Sequence, residues 1–314
     1  MTDDTTTGNS PGGMDDAQVR VRVPAKINLS LRVGPPRADG FHPLGTIFHA
    51  VNLFEDVTAS PAPSGVVSLK MSGESLEGVP TDASNLAVKA ALALRDAYGT
   101  PDLGVHLAIR KTIPVAGGMA GGSADCAGAL LACSVFWDLD TTPDDLHELA
   151  AHLGSDVPFA LHGGTAIGSG RGEDLVPLLS RGTYEWVLAF AEGGLSTPAV
   201  FRRFDEIGNF SETEISDDVM NALAAGDPVA LGRSLINDLQ PAAISLLPEL
   251  QGTLDAGLAA GALGAIVSGS GPTCAFLAAS RSDQLALATK LDALPNIRAI
   301  RRASGPVPGA RLLG

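Results

Sequence analysis

The chain has 314 residues, 45% hydrophobic but only 4% aromatic, and carries a formal charge of −14 at neutral pH. That length suits two domains of ordinary size, with a core that Ala, Leu and Val must fill. The charge excludes broad binding to nucleic acid or anionic membranes, yet permits a small-anion site built from local amides and a few cations.

Residues 1–18 are rich in Asp, Thr, Gly and Ser without periodicity and read as a disordered tail. They have neither the basic start nor the apolar run of a signal peptide, and no later run reaches membrane-spanning length. The expected location is therefore the cytoplasm. From Val19 the pattern changes. Val19, Val21, Val23, Ile27, Leu29, Leu31 and Val33 alternate with polar residues, interrupted at Pro24-Ala25. This is a strand, and its period sends Lys26 and Asn28 together away from the core. A solvated strand edge is the ordinary reading of a lone Lys, whereas two polar groups together on one face point toward a site.

Gly34 to Pro43 is a turn-rich loop holding Phe41 and His42, followed by a second strand over Leu44 to Val57. An aromatic face can stack on a base, and a His ring nitrogen can bond its edge. Asp82 to Tyr98 reads as a helix stopped by Gly99, with Asn85 near its start as a cap. Val105 to Lys111 is a strand, and Ser123 to Trp137 a helix of small residues.

Between them lies Pro114-Val-Ala-Gly-Gly-Met-Ala-Gly-Gly-Ser-Ala-Asp125. Two glycine pairs let a ligand approach the backbone, and amides ahead of a helix start suit a phosphate. A tight strand-to-helix connection is the alternative. Ser123 reads as the helix cap or a phosphate donor. No glycine is followed by Lys, so a Walker loop is absent, and the spacing also fails the dinucleotide fingerprint. Lys111 and Lys26 are the first candidates for the missing positive charge.

Thr142 to Gly154 is a capped helix. Its His147 and His152 are five apart and diverge on the helix, which rejects zinc. Asp156, in Gly154-Ser-Asp-Val-Pro158, reads from spacing as the cap of a following turn. Around Ser180 to Gly182 the chain restarts. Strands follow at Trp186 to Phe190, Ala265 to Val267, Thr273 to Leu277 and Arg298 to Arg302. Helices are expected at Thr197 to Phe204, Val219 to Ala224, Pro228 to Asp238, Ile244 to Ala260 and Asp283 to Leu291. Cys126, Cys133 and Cys274 are too few and too irregular for a disulfide framework.

Five stretches in order carry a resemblance: Pro24-Ala-Lys-Ile-Asn-Leu29, Ala38-Asp-Gly-Phe-His-Pro43, Pro114 to Ala124, Gly154-Ser-Asp-Val-Pro158 and Ser268-Gly-Ser-Gly-Pro-Thr-Cys274. From about Val19 to Ala303 the chain resembles the GHMP kinases, which phosphorylate small alcohols and acids with ATP. The second and fourth stretches are similar to the branch acting on a cytidine diphosphate-linked methylerythritol.

That resemblance implies an α+β, two-domain GHMP kinase fold. A domain like ribosomal protein S5 domain 2 would span 19–180, and a ferredoxin-like domain 181–314, with the active site in the cleft between. It implies Lys26 and Asp156 as catalytic residues. ATP would meet Asn85, Lys111 and the run Pro114, Val115, Ala116, Gly117, Gly118, Met119, Ala120, Gly121, Gly122, Ser123 and Ala124. The acceptor would meet Asn28, Phe41, His42, Gly269, Ser270 and Gly271. Phe41 stands where the family commonly has Tyr, so the stacking face remains and the hydroxyl is lost. Mg²⁺ is expected with ATP, and no residue is assigned as its ligand. The expected partners are ATP and the small-molecule acceptor, not nucleic acid or membrane, and a monomer and a weak dimer both stay open. Another small-alcohol kinase, or a binding regulator that has lost catalysis, are the competing readings; retention of both Lys26 and Asp156 speaks against the regulator.

Overall fold

The alternation that begins at Val19 forms the first arm of a long hairpin. In the computed structural model, which describes residues 18–74 and 76–314, β1 (Val19–Val33) pairs antiparallel with β2 (Leu44–Ser60) from end to end. The expected tail lies, apart from Gln18, outside the described residues. Pro24-Ala25 is a register shift inside one continuous strand, and a second shift falls between Asn28 and Ser30. Proline cannot donate to the ladder, and a bulge absorbs that loss without ending the strand.

β1 is not an edge, which removes the alternative of a solvated strand edge at Lys26. Its second side pairs with two short strands from late in the chain, β8 (Ile236–Asn237) and β12 (Arg311–Leu313). Both faces are buried from Val23 to Leu31. β2 in turn splits its outer side. Asp56 to Ser60 pair with β4 (Val105–Lys111), which carries β3 (Val67–Gly73) beyond it. Thr46 to His49 pair with β5 (Thr165–Ser169), which carries β6 (Asp174–Pro177).

Helices α1 (Leu86–Tyr98), α2 (Gly121–Phe136), α3 (Pro143–Leu153) and α4 (Val157–His162) accompany this first sheet. α1 begins four residues after Asp82, because the Asn85 side chain accepts from the Ala87 amide and sets the cap. α2 packs close on β1 and β2. A Cβ at Gly128 would stand 2.5 Å from Val57 Cγ2, so the small residue sets the spacing. α3 starts with the expected cap, a full capping box between Thr142 and Asp145.

The second sheet is antiparallel in the order β11 (Ile297–Gly305), β7 (Tyr184–Ala191), β10 (Cys274–Ala278), β9 (Gly264–Val267). With it go α5 (Thr197–Ile207), α6 (Asp217–Ala225), α7 (Pro228–Ser234), α8 (Gln240–Leu246), α9 (Glu249–Ala259) and α10 (Arg281–Asp292). Two helical expectations change here. The run from Pro228 stops at Ser234 so that β8 can join β1, and the run from Ile244 breaks at Leu247-Pro248, where the ring denies an amide to the helix.

The earliest strand of the second sheet, β7, starts at Tyr184. β8 and β12 nevertheless return to the first sheet, and one apolar cluster joins Val21, Leu107 and Leu130 to Trp186, Ala275 and Leu277. A second cluster, around Val187, Phe204, Leu250 and Phe276, also takes in Leu31 and Val33 of β1. The two halves therefore share a core. Cys126, Cys133 and Cys274 are buried free thiols. Among the described residues no helix is long and apolar enough to cross a membrane.

Candidate active site

The glycine-rich stretch leaves β4 and enters α2 as a loop with its backbone toward a cleft of about 880 Å³. Pro114, Val115, Ala116, Gly117, Gly118, Ala120, Gly121, Gly122 and Ser123 line that cleft, whereas Met119 and Ala124 point into the core. Ala116 and Ala120 hold positive φ, 53° and 59°, so the loop keeps its curve even where no glycine supplies it. Ala120, not Ser123, is the residue at the cap of α2. Ser123 sits inside the first turn with its side chain on the cleft, which leaves its donor reading and removes its capping one.

The loop is held from two sides. The Met119 carbonyl accepts from the Lys26 amide at 3.3 Å, and the Gly118 carbonyl accepts from Ser268 Oγ at 3.0 Å. Gly118 has φ of +73°, and a Cβ there would stand 2.0 Å from the Ser268 carbonyl oxygen. The turn Ser268 to Gly271, between β9 and β10, thus braces the loop from the second sheet. Asn237 fixes that turn by donating to the Val267 and Gly269 carbonyls, both at 2.7 Å. Gly269 and Ser270 line the cleft; Gly271 lies behind it against Val267 and Leu195.

Lys111 departs from expectation. Its Nζ lies 2.8 Å from Glu55 Oε1 and 2.8 Å from Asp125 Oδ2, and donates to the Gly121 carbonyl at 3.2 Å. Three donors are engaged beneath the loop, so Lys111 holds the loop in place rather than offering a free charge to a phosphate. Glu55 also accepts from the Thr112 and Ile113 amides at 2.8 and 3.1 Å. Burial pushes the Glu55 carboxyl up to about 7 and the Asp125 carboxyl up to about 6, against the pull of the Lys111 ammonium.

Lys26 and Asp156 meet across the cleft floor. Lys26 is 6% exposed, and its Nζ donates to Asn28 Oδ1 at 2.6 Å and lies 3.5 Å from Asp156 Oδ2. Asn28 Nδ2 donates to Thr46 Oγ1 at 2.8 Å, which donates onward to the Ser30 carbonyl. Asn28 therefore aims the lysine as well as lining the cleft. Asp156 stands at the start of α4, yet its side chain makes no capping hydrogen bond. The cap reading falls, and the carboxylate is left to Lys26 and the cleft.

At the other end Phe41 is 51% exposed and lines the cleft, with the Arg171 guanidinium 5.3 Å from its ring centroid. His42 is buried beside it with neither ring nitrogen free. Nδ1 donates to the Gly34 carbonyl at 2.8 Å, and Nε2 lies 3.2 Å from Asp205 Oδ1. The expected bond from His42 to a base edge is thus replaced by an anchor between the loop and α5. Asn85 also faces the cleft, but its amide serves the α1 cap and the Pro80 carbonyl.

Several residues with a place here gave no local signal. Phe201, Arg202 and Asp205 of α5 line the cleft, and the Phe201 ring lies 5.2 Å from that of His42. The helix was legible, but not which of its faces the first sheet would meet. Glu55 reads as one polar residue in a strand, and only the fold puts it under the loop.

The models for the GHMP kinases N terminal domain and the GHMP kinases C terminal domain match residues 85–164 and 219–296. A 4-diphosphocytidyl-2-C-methyl-D-erythritol kinase of Mycolicibacterium smegmatis is 54% identical over 301 residues, covering 94% of this chain and 92% of its own. One of Nocardia farcinica is 54% identical over 298 residues, covering 94% and 96%. A crystal structure of 4-(cytidine 5'-diphospho)-2C-methyl-D-erythritol kinase superimposes with a TM-score of 0.73 at 32% identity, over 90% of this chain and 98% of that one. With the loop, the braced turn and the shared core, these likenesses agree at every level: the chain belongs to the GHMP kinases, in the family of the 4-diphosphocytidyl-2-C-methyl-D-erythritol kinases.

Proposed function

We propose that this kinase transfers the γ-phosphoryl group of ATP to the 2-hydroxyl of 4-diphosphocytidyl-2-C-methyl-D-erythritol, a step toward isoprenoid precursors by the non-mevalonate route. The observation that carries the reading is the Lys26–Asp156 pair, assembled in the cleft without any capping role for the acid. Phosphoryl transfer needs positioning and charge neutralisation more than covalent chemistry. Asp156 takes or aligns the proton of the acceptor hydroxyl, and Lys26 neutralises charge on the oxygens about it. The amides from Gly117 to Ser123 hold the ATP phosphates, with Lys111 fixing their spacing from below. Phe41 and Phe201 supply two aromatic faces for the cytosine ring.

Mg²⁺ fits this site through hard oxygen donors. Asp125 Oδ1 is buried with no hydrogen-bond partner, and the Ser123 hydroxyl lies on the cleft near it in sequence. Mg²⁺ keeps phosphate and water ligands, so one or two protein oxygens would suffice to hold it. When bound, it would supply charge neutralisation at the phosphate oxygens. An ATP-consuming step of this kind fits the cytoplasm.

Incubation of the pure protein with ATP, Mg²⁺ and a panel of acceptors tests the reading. Mass spectrometry should find a phosphorylated product from the cytidylyl acceptor and not from mevalonate, homoserine or free sugars. Transfer to one of those in preference would overturn the substrate, and binding of ATP and acceptor without turnover would favour a regulator.

A further inference from the structure

Cations gather on one side of the first sheet. Lys70, Ala108, Thr58 and Arg20 form a row across β3, β4, β2 and β1. Ser72, Arg110, Asp56, Arg22 and Arg311 form the next row, which reaches β12. The residues between the rows, Met71, Ile109, Val57 and Val21, pack into the apolar cluster with Leu94 of α1 and Leu130 of α2. Successive side chains on a strand point to opposite faces, so the two rows look outward. Arg20, Lys70, Arg110 and Arg311 are exposed, and neither they nor Arg22 line the cleft.

The acid in these rows, Asp56, accepts from Arg22 Nε at 2.7 Å and Nη2 at 2.9 Å. Those bonds hold its carboxyl below the usual carboxylate range, and the charges of Arg20 and Arg110 add to the pull. Arg22 and Arg311 also rest against the Phe54 ring, 5.4 and 5.5 Å from its centroid. Arg20, Lys70, Arg110 and Arg311 make no ion pair among the described residues. In a chain with a formal charge of −14, this is a positive face without enough acid of its own.

The sequence carries acids immediately upstream. Residues 1–17 contain Asp3, Asp4, Asp15 and Asp16 and no Lys or Arg. Asp16 stands four residues before Arg20, about 13 Å of extended chain. The row from Arg20 to Lys70 crosses three strand spacings, about 14 Å, so Asp15 and Asp16 are within reach of it. Pro11-Gly12-Gly13, between the two acidic pairs, has the composition of a turn. A segment tethered this closely meets the face at an effective concentration on the order of millimolar, which an acidic partner free in solution does not match.

We propose that this outer face is a docking site for an acidic peptide and that residues 1–17 of the same chain occupy it, with Asp15 and Asp16 on the row from Arg20 to Lys70. The contact is electrostatic, so salt weakens it.

Carbodiimide cross-linking of the full chain at low ionic strength, followed by peptide mapping, tests the docking, because the reagent joins a carboxylate to a lysine amine only where they touch. Lys26 and Lys111 are buried, which leaves Lys70, Lys89 and Lys290 as exposed amines. Links from Asp3, Asp4, Asp15 or Asp16 should fall on Lys70 in roughly tenfold excess over Lys89 and Lys290, the preference that a few exposed ion pairs give together. The excess should vanish in about 1 M salt, where charges are screened within about 3 Å. Arg20→Gln combined with Arg110→Gln, both at exposed positions, should cut the Lys70 links several-fold and leave the other two lysines unchanged. No link to Lys70, equal yields at the three lysines, or an excess that survives both salt and the substitutions overturns the proposal. Links between two chains that disappear on dilution would make the occupant a second copy, and overturn it as well. Binding of added polyglutamate to the wild type, lost in the double variant, would show the face open to an outside partner and overturn occupancy by residues 1–17.

Discussion

Lys26 Nζ stands 3.5 Å from Asp156 Oδ2, and the two side chains differ sharply in burial, at 7% and 32% exposed. The lysine is the floor of the site and the aspartate its open wall. A buried ammonium is costly unless partners compensate it, and Asn28 and Asp156 do so here. The arrangement leaves the acid accessible to an acceptor while the cation stays beneath, so the charge is preset before any substrate arrives.

The phosphate loop predicts opposite outcomes for two of its glycines. A Cβ at Gly122 would meet only Leu86 Cδ1, at 3.7 Å, whereas one at Gly118 would collide with the Ser268 carbonyl oxygen. Gly122→Val should fold normally yet bind ATP roughly tenfold or more weakly, because its side chain fills ligand space. Gly118→Ala should lose stability through the clash and its φ of +73°. Wild-type ATP affinity in folded Gly122→Val, measured by calorimetry, would remove the loop from the nucleotide site.

The buried Glu55–Lys111–Asp125 cluster makes stability depend on pH. Burial raises both carboxyls, Glu55 to about 7 and Asp125 to about 6, so each binds its proton more tightly folded than unfolded. The stability they confer is complete below the ordinary carboxylate range and is lost as pH rises through about 6 to 7. Buried His49, pushed down to about 3 by burial, acts with the opposite sign: its contribution falls away as pH drops below the usual histidine range. The readout is therefore a difference. Between about pH 4.5 and pH 7.5, urea unfolding should show wild type losing more stability than Glu55→Gln. Parallel curves for the two proteins would show that Glu55 does not titrate in this window.

Local pattern carried the site further than it carried the fold's closure. The Val19 to Val33 alternation put Lys26 and Asn28 on one face, and the structure joins them by a hydrogen bond. Glycine spacing located the loop, because close backbone approach leaves a mark in composition. What escaped was long-range. β12 is three residues long and β8 two, too short for any periodicity, yet they convert β1 from an edge into an interior strand. The roles of His42 and Lys111 changed for the same reason. Asp205 and Glu55, which engage them, lie far away in sequence and carry no motif.

The base slot predicts a selective loss. Phe41→Ala should cost roughly 1–3 kcal/mol of cytidylyl-substrate binding, the range for base–aromatic stacking, with ATP affinity nearly unchanged. Phe201→Ala should do the same to a similar degree. Phe41 is half exposed, so its removal should leave the melting temperature close to wild type. Matching losses for both ligands would make these rings supports of the fold instead.

The catalytic pair gives the sharpest test. Asp156 makes no capping hydrogen bond, so its removal sacrifices none of the 0.5–2 kcal/mol that a cap typically contributes (about 1 in most hosts). Asp156→Asn retains the shape and can still accept from Lys26, but it cannot take a proton. Thermal stability and ATP binding should stay near wild type, while turnover falls by on the order of a hundredfold or more. Lys26→Met nearly preserves buried volume, and the Asp156 it leaves unpaired is exposed enough to be solvated. That variant should fold and also lose turnover. Because the two groups act on one proton and one developing charge, the double variant should be little worse than the poorer single. Independent, multiplicative losses would mean that the residues do not act as a unit. An Asp156→Asn protein that melts early and turns over normally would return the residue to a structural role.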